Sequence, residues 1–215
     1  MFPLDLSSEA IERILPKVAE SLFIAWAGTV IGAVFSFPIS FLAANNVAAN
    51  YISETTKQIL NGIRAFPELI LAFVFLPITG LGALTGTLAI GIHSIGTLGK
   101  LSSEVIEGID EGPLEAIKSS GGSKINELLF GVVPQVMPTI TSYWLYRFEI
   151  NLRASAVLGV VGAGGVGAEL INQLRFRDFP RAGTVLVATV VLVLTVDTIS
   201  AAIRRRIIKG RSIKV

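Results

Sequence analysis

Three ionisable residues, Arg147, Glu149 and Arg153, stand with Asn151 in a largely apolar stretch in the second half of the chain. A charge in a hydrocarbon interior costs about 2.5–3.5 kcal/mol on insertion scales, so such a residue is paired or faces water. Glu149 and Arg153 are four residues apart, and one helical turn brings that spacing together. The pair is then either structural or part of a polar pathway. Arg147 has no acid on its own face, so it needs one from another helix or a second subunit. The rigid fork of a guanidinium suits the oxygens of a tetrahedral anion. Arg147, Glu149, Asn151 and Arg153 are therefore the candidate residues for contact with a solute.

Other residues invite chemistry less strongly. Arg64 and Glu68 are also four apart and read as a structural pair. His93 is the single histidine, and packing or pore lining suits it better than metal ligation. Asp197 either pairs with Arg204 or lines a vestibule. With no cysteine, thiolate metal sites and disulfides are excluded. Gly162-Ala163-Gly164-Gly165-Val166-Gly167 fits a dinucleotide-binding fingerprint in letters only. Asp178 comes too early and Asp197 too late for the ribose acid, and a glycine-rich break after an apolar span explains the run better. Gly99-Lys100 lacks both the first glycine and the following Ser or Thr of a phosphate-binding loop. No convergent acid, base and nucleophile set is present, which speaks against an enzyme.

The elements that must hold these residues are membrane helices. Of 215 residues 52% are hydrophobic and 16% charged, too few charges to cover a soluble surface. Residues 22–50 contain no ionisable side chain, which is long enough to cross a bilayer. The pattern predicts five spans at about 21–44, 63–78, 81–101, 133–161 and 182–203. Residues 1–20 are expected to form an amphipathic segment at the membrane surface, with Ile11, Ile14, Leu15 and Val18 at helical spacing. Gly28 and Gly32, and again Gly82 and Gly86, have the spacing that lets helices approach closely. Pro38 and Pro67 bend or break their spans.

Residues 204–215 form a basic tail, with Arg204, Arg205, Arg206, Lys209, Arg211 and Lys214 and no acid. Directly after an apolar span, such a tail marks the cytoplasmic side. Five spans then put the N-terminus outside and the polar stretch 102–132 in the cytoplasm, all within one membrane domain, 21–203. Arg175, Arg177 and Arg181 fall in an outside loop against the charge bias, which makes them candidate contacts for an acidic external partner.

The cytoplasmic stretch carries the most informative spacing. Glu115-Ala116 is followed by Gly121 and then by Pro134, nineteen residues after Glu115. This resembles the E-A-A-x3-G-x9-I-x-L-P signature of ABC importer permeases, with departures at Ile117, Gly131 and Val133. Two short helices, 113–120 and 124–132, turning at Gly121-Gly122 would seat in a cleft of a cytoplasmic partner.

Beyond that motif, 64–69 (Arg-Ala-Phe-Pro-Glu-Leu), 95–100, the charged run 146–155 and the glycine run 161–167 resemble the permease subunit of bacterial phosphonate importers over nearly the whole chain. The glycine run is also similar to methionine-importer permeases. The resemblance implies an all-α type I ABC importer permease with a cytoplasmic coupling helix, in the bacterial inner membrane. It implies coupling through Glu115, Ala116, Gly121 and Pro134, a second copy of the chain, a separate ATPase that binds ATP and magnesium, and an extracytoplasmic solute-binding protein. No cofactor is expected in this chain itself. The expected cargo is a phosphonate, phosphite or related oxyanion. The alternatives are methionine or another small solute and, in a different class, a passive channel.

Overall fold

A computed structural model describes residues 4, 5 and 7–209, and the regular structure among them is helical, with no strand. Helix α1 runs Ser8–Ala43, capped at its start by the Ser7 side chain, which accepts from the Ala10 amide. Helices α2 (Asn50–Ala65) and α3 (Glu68–Thr79) follow, then α4 (Ala83–Glu107) and the short α5 (Gly112–Ser119). A single turn, α6 (Lys124–Asn126), passes through a π-helical turn, Glu127–Val132, into α7 (Val133–Leu158). A 3-10 turn, Gly159–Val161, then leads to α8 (Gly165–Arg175) and α9 (Phe179–Lys209).

Among the described residues, three helical stretches are long and apolar enough on their own to cross a membrane: Ser8–Ala43, Lys124–Arg175 (α6 through α8) and Phe179–Ile207. The expected second span, 63–78, falls mostly on α3, which with the preceding α2 forms a pair bent by 84° at Phe66-Pro67. Proline cannot donate to the helix ladder, and it disfavours helical geometry in the residue before it. The expected third span, α4, has 25 residues, about 37 Å. Its glycines, serines and histidine make it less apolar than the other three. It can carry them because it lies in the centre of the bundle, where Thr85, Ser94, Ser102 and Ser103 are fully buried.

The first expectation to change concerns the N-terminus. Residues 8–20 are not a separate surface helix but the first turns of the 36-residue α1. Ile14 and Val18 pack against Val166 and Leu170 of α8 and Val185 of α9, while Ile11 and Leu15 stay exposed. At about 54 Å, α1 is longer than a bilayer core is thick. Of the basic tail, Arg204–Lys209 continues α9, and residues 210–215, with Arg211 and Lys214, lie outside the described residues.

The heart of the bundle is the crossing of α1 on α4. A Cβ added to Gly28 would come 2.7 Å from Ile90 Cγ2, and one added to Gly32 would collide with Ser94. Lipid tails are as apolar as leucine, so this close packing, rather than escape from water, holds the helices together. Gly82 behaves differently from its expected role: it caps α4 with φ +142° and nothing near it. Only Gly86 of that pair makes a close contact, against Ala163 and Ile24. Ile24, Ala72, Ala89, Ile90, Leu158 and Ala163 form one core cluster. A second, Ala44, Ile106, Val132, Val136 and Ile140, lies toward α5. Around the outside, Phe23, Trp26, Val34, Val190, Val191 and Leu194 are exposed, as lipid-facing residues are.

Candidate functional site

The expected coupling element is a short exposed helix with an anchored edge. Glu115 and Ala116 lie on the exposed side of α5, whereas Leu114 and Ile117 are half-buried. A Cβ at Gly131 would meet both of these, 3.2 Å from Leu114 Cδ1 and 3.3 Å from Ile117 Cδ1. Gly121 ends the helix with φ +76°. Its amide donates to the Lys118 carbonyl and that of Gly122 to the Ile117 carbonyl, both at 2.9 Å, the paired bonds of a Schellman cap. The turn is therefore the sharp one that the Gly121-Gly122 pair predicts.

The second half of the element departs from expectation. Instead of a separate helix over 124–132, the chain makes one turn and a π-helical segment continuous with α7. Pro134 explains the widening, since its ring would press on the carbonyl four residues back in a regular helix. Gln135, one residue on, fastens the loop before α5: its Oε1 accepts from the Asp110 amide at 3.0 Å. Its Nε2 donates to the carbonyls of Asp110 and Gly131. Glu115, Ala116 and Gly121 thus lie on an exposed element packed against the π-helical turn, and Pro134 stands just beyond that turn at the start of α7.

Twenty ångströms along the bundle, by about thirteen helical rises from Pro134, stands Arg147. It is 6% exposed, and its Nη2 donates to Glu68 Oε1 at 3.0 Å. Its Nε donates to Ser94 Oγ at 3.0 Å. His93 Nδ1 lies 2.6 Å from the same Glu68 oxygen and 2.6 Å from Arg147 Nη2. Ser94 connects onward to Asn151, whose Nδ2 also reaches Thr29 Oγ1 at 2.8 Å. One polar cluster thus joins α1, α3, α4 and α7 at mid-depth.

The expected pairings are exchanged throughout. Arg64 does not pair with Glu68, because the break at Pro67 puts them on two differently directed helices; Glu68 turns to Arg147 and His93. Glu149 does not take Arg153. It accepts from Arg204 of α9 at 2.8 Å, and that guanidinium also sits 5.6 Å from the centre of the Tyr146 ring. Arg153 reaches Asp197 of α9 instead. In both cases a facing helix offers a carboxylate or guanidinium better aimed than the local neighbour. Ser94, Thr29, Glu68 and His93 join the candidate residues on geometry alone. The signal available for Glu68 was its place directly after Pro67.

At the opposite end, the glycine run breaks the chain between α7 and α8. Gly162, Gly164 and Gly165 have φ of +78°, +82° and +69°, and the Val166 amide donates to the buried Ser21 hydroxyl at 2.9 Å. Arg175, Arg177 and Arg181 follow. Arg181 bonds Asp5 at 3.0 Å and lies 3.4 Å from Asp178. Hydrogen bonds from Ser7, and then from Arg181, hold the Asp5 carboxyl below its ordinary value. Arg177 has φ +56° and caps α8, with its amide on the Leu174 carbonyl and that of Asp178 on the Gln173 carbonyl. Arg175 lines a cavity of about 520 Å³ with Leu81, Gly159, Gly162, Glu169 and Asn172. The three arginines therefore share one end of the bundle but have different surroundings.

Known proteins share both this sequence and this fold. The chain is 40% identical over 187 residues to the phosphite transport system permease protein PtxC of Stutzerimonas stutzeri, covering 86% of this chain and 68% of that one. It is 41% identical over 194 residues to the phosphate-import permease protein PhnE of Mycolicibacterium smegmatis, covering 90% of this chain but 36% of that longer one. The fold matches a chain of the inward-facing MetNI methionine ABC transporter with a TM-score of 0.82, at 20% identity, over 94% of this chain and 99% of that one. Residues 36–211 match the family described as the binding-protein-dependent transport system inner membrane component, and the chain belongs to that family.

Proposed function

We propose that this chain is the membrane pathway of an ATP-driven importer whose cargo is a phosphonate, phosphite, phosphate or related oxyanion. Two copies pair, a separate ATPase carrying ATP and magnesium seats against the 115–121 surface of each, and an extracytoplasmic binding protein delivers the solute. The observation that carries the reading is an exposed helix, capped at Gly121, that connects through one tight turn and the π-helical segment to the helix that holds the buried Arg147. A passive channel has no use for such a surface. The cargo class is supported by relatives named for phosphite and phosphate at 40% and 41% identity. Likeness to a methionine transporter at 20% identity speaks for the fold alone.

In this reading residues 21–203 form the membrane domain, with 102–132 on the cytoplasmic side and the basic end of α9 anchoring it there. Arg147 and Asn151 belong to the polar centre, Glu149 and Arg153 to the α7–α9 seam, and Arg175, Arg177 and Arg181 to the surface that meets the binding protein. The decisive experiment is reconstitution with the copurifying ATPase and binding protein, followed by uptake of labelled phosphite and of labelled methionine. ATP-dependent phosphite uptake without methionine uptake is expected. Methionine uptake, or solute flux that ignores ATP, overturns the proposal.

A further inference from the structure

Glu68 occupies a place that a transported anion would suit. Its Oε1 accepts from Arg147 Nη2 of α7 at 3.0 Å and lies 2.6 Å from His93 Nδ1 of α4, which is itself 2.6 Å from Arg147 Nη2 and donates to the carboxylate only when it carries a proton. With the Nδ1 proton directed at that oxygen, the imidazole and guanidinium converge on one point. This is how donors are arranged to receive one oxygen of an anion. A doubly protonated imidazole would also donate from Nε2 to the Arg64 carbonyl, 3.3 Å away, which fixes the ring. Arg147 is held by Ser94, which is locked by Asn151 and Thr29. The receiving side is therefore built and braced.

The carboxylate that fills it is the least fixed of the three groups. Glu68 is 23% exposed at its side chain, against 12% for His93 and 7% for Arg147. It sits one residue beyond Pro67, at the 84° bend where α2 and α3 share no continuous helix ladder. Backbone rotation at Phe66-Pro67 would withdraw it with the start of α3, and because Ala72 of α3 lies in one core cluster with Ile90 of α4 and Leu158 of α7, the swing repacks that contact. Pairing also keeps the buried guanidinium neutralised when no solute is bound, and an uncompensated one would be costly.

We infer that the Glu68 carboxylate is a resident stand-in for the cargo: it fills the seat made by Arg147 and His93, and a tetrahedral oxyanion passes by exchanging with it as α3 swings about Pro67. This rests on the oxyanion reading given above and adds the site and the gate. Glu68 sets the affinity low enough for release, because a departing anion is replaced by the carboxylate.

The test uses the assembled importer in lipid nanodiscs with phosphite as the probe. Glu68→Gln keeps an oxygen acceptor for one N–H but removes the competing charge. Phosphite should then bind at least tenfold more tightly than to wild type while uptake falls, since release has lost its replacement anion. Adding Arg147→Gln should abolish the gain. Unchanged phosphite affinity in Glu68→Gln, or a gain that survives Arg147→Gln, overturns the inference.

Wild-type uptake separates the two levels. Phosphite import with unaltered Glu68→Gln binding removes the stand-in only, whereas methionine import without phosphite import removes the cargo reading and the stand-in with it. A second measurement leaves the cluster intact. The chain has no cysteine, so spin labels at Phe73→Cys on α3 and Leu84→Cys on α4, both exposed positions, report the hinge cleanly. Saturating phosphite should shift their distance distribution, and an identical distribution with and without phosphite refutes the gate.

Discussion

Replacing Gly121 by valine isolates the coupling turn. A left-handed backbone costs a non-glycine residue about 1–2 kcal/mol, and a β-branched one lies at the upper end. No atom lies within 4 Å of a Cβ built at Gly121, so the penalty is conformational and not a clash. It falls on the two cap bonds from the Gly121 and Gly122 amides, and a loss of that size shifts the formed turn by about 5–30-fold. ATP-driven phosphite uptake should drop by about that factor at equal membrane abundance, with ATPase activity no longer responding to the loaded binding protein. Gly121→Asn is the control, because asparagine tolerates this conformation, and it should retain most of the uptake. Full uptake by the valine variant, or equal failure of both variants, would refute the reasoning, the second by pointing to side-chain bulk at the partner's surface.

Other perturbations follow from particular contacts. Arg153→Gln should cost about 1–2 kcal/mol, kept small because Arg153 is half exposed, and Asp197→Asn should recover it in thermal unfolding whereas Glu149→Gln should not. Gly32→Leu should lower stability by about 1–3 kcal/mol through overpacking on Ser94, seen as earlier loss of monodisperse protein on heating in detergent. Arg177→Gly should raise stability by about 1 kcal/mol by relieving its left-handed backbone. If the guanidinium meets the binding protein, the same change slows docking at low salt, and an unchanged association rate there would exclude that contact.

What could be read ahead of the structure was what depends on local chemistry. Pro67 marked the break between α2 and α3, Gly121 the αL cap, and the 162–165 glycines the turn out of α7. Ion pairs were not legible, because four-residue spacing reports only neighbours on one helix. Arg147 found Glu68 at 79 residues' separation, Arg204 found Glu149 at 55, and Arg153 found Asp197 at 44. Helix packing decides these, and periodicity carries no trace of it. The membership of Gly82 in a close-packing motif failed for a related reason: the motif assumes a helix, and at Gly82 α4 has not yet begun.

The position of α7 joins the two halves of the proposal. The π-helical turn that leads into it lies against Leu114 and Ile117 at Gly131, and the first turn of α7 itself is held by Gln135 at Asp110. Its middle carries Arg147, and no flexible loop separates the two points. The Gln135 clamp lies beyond the π-helical turn, so a displacement of the loop before α5 reaches α7 before that turn can absorb it, and Pro138 is then the one interruption of the helix ladder before Arg147. Glu68 has no such connection to α5. It rides on α3, past a proline break and on a different branch of the chain. A pull on α5 therefore moves Arg147 relative to Glu68 rather than carrying both together, and breaking a buried charge pair without replacement costs about 3–5 kcal/mol. An oxyanion already present at the seat removes most of that cost. In the proposed importer, this geometry would make the stroke easy with cargo at the seat and hard without it.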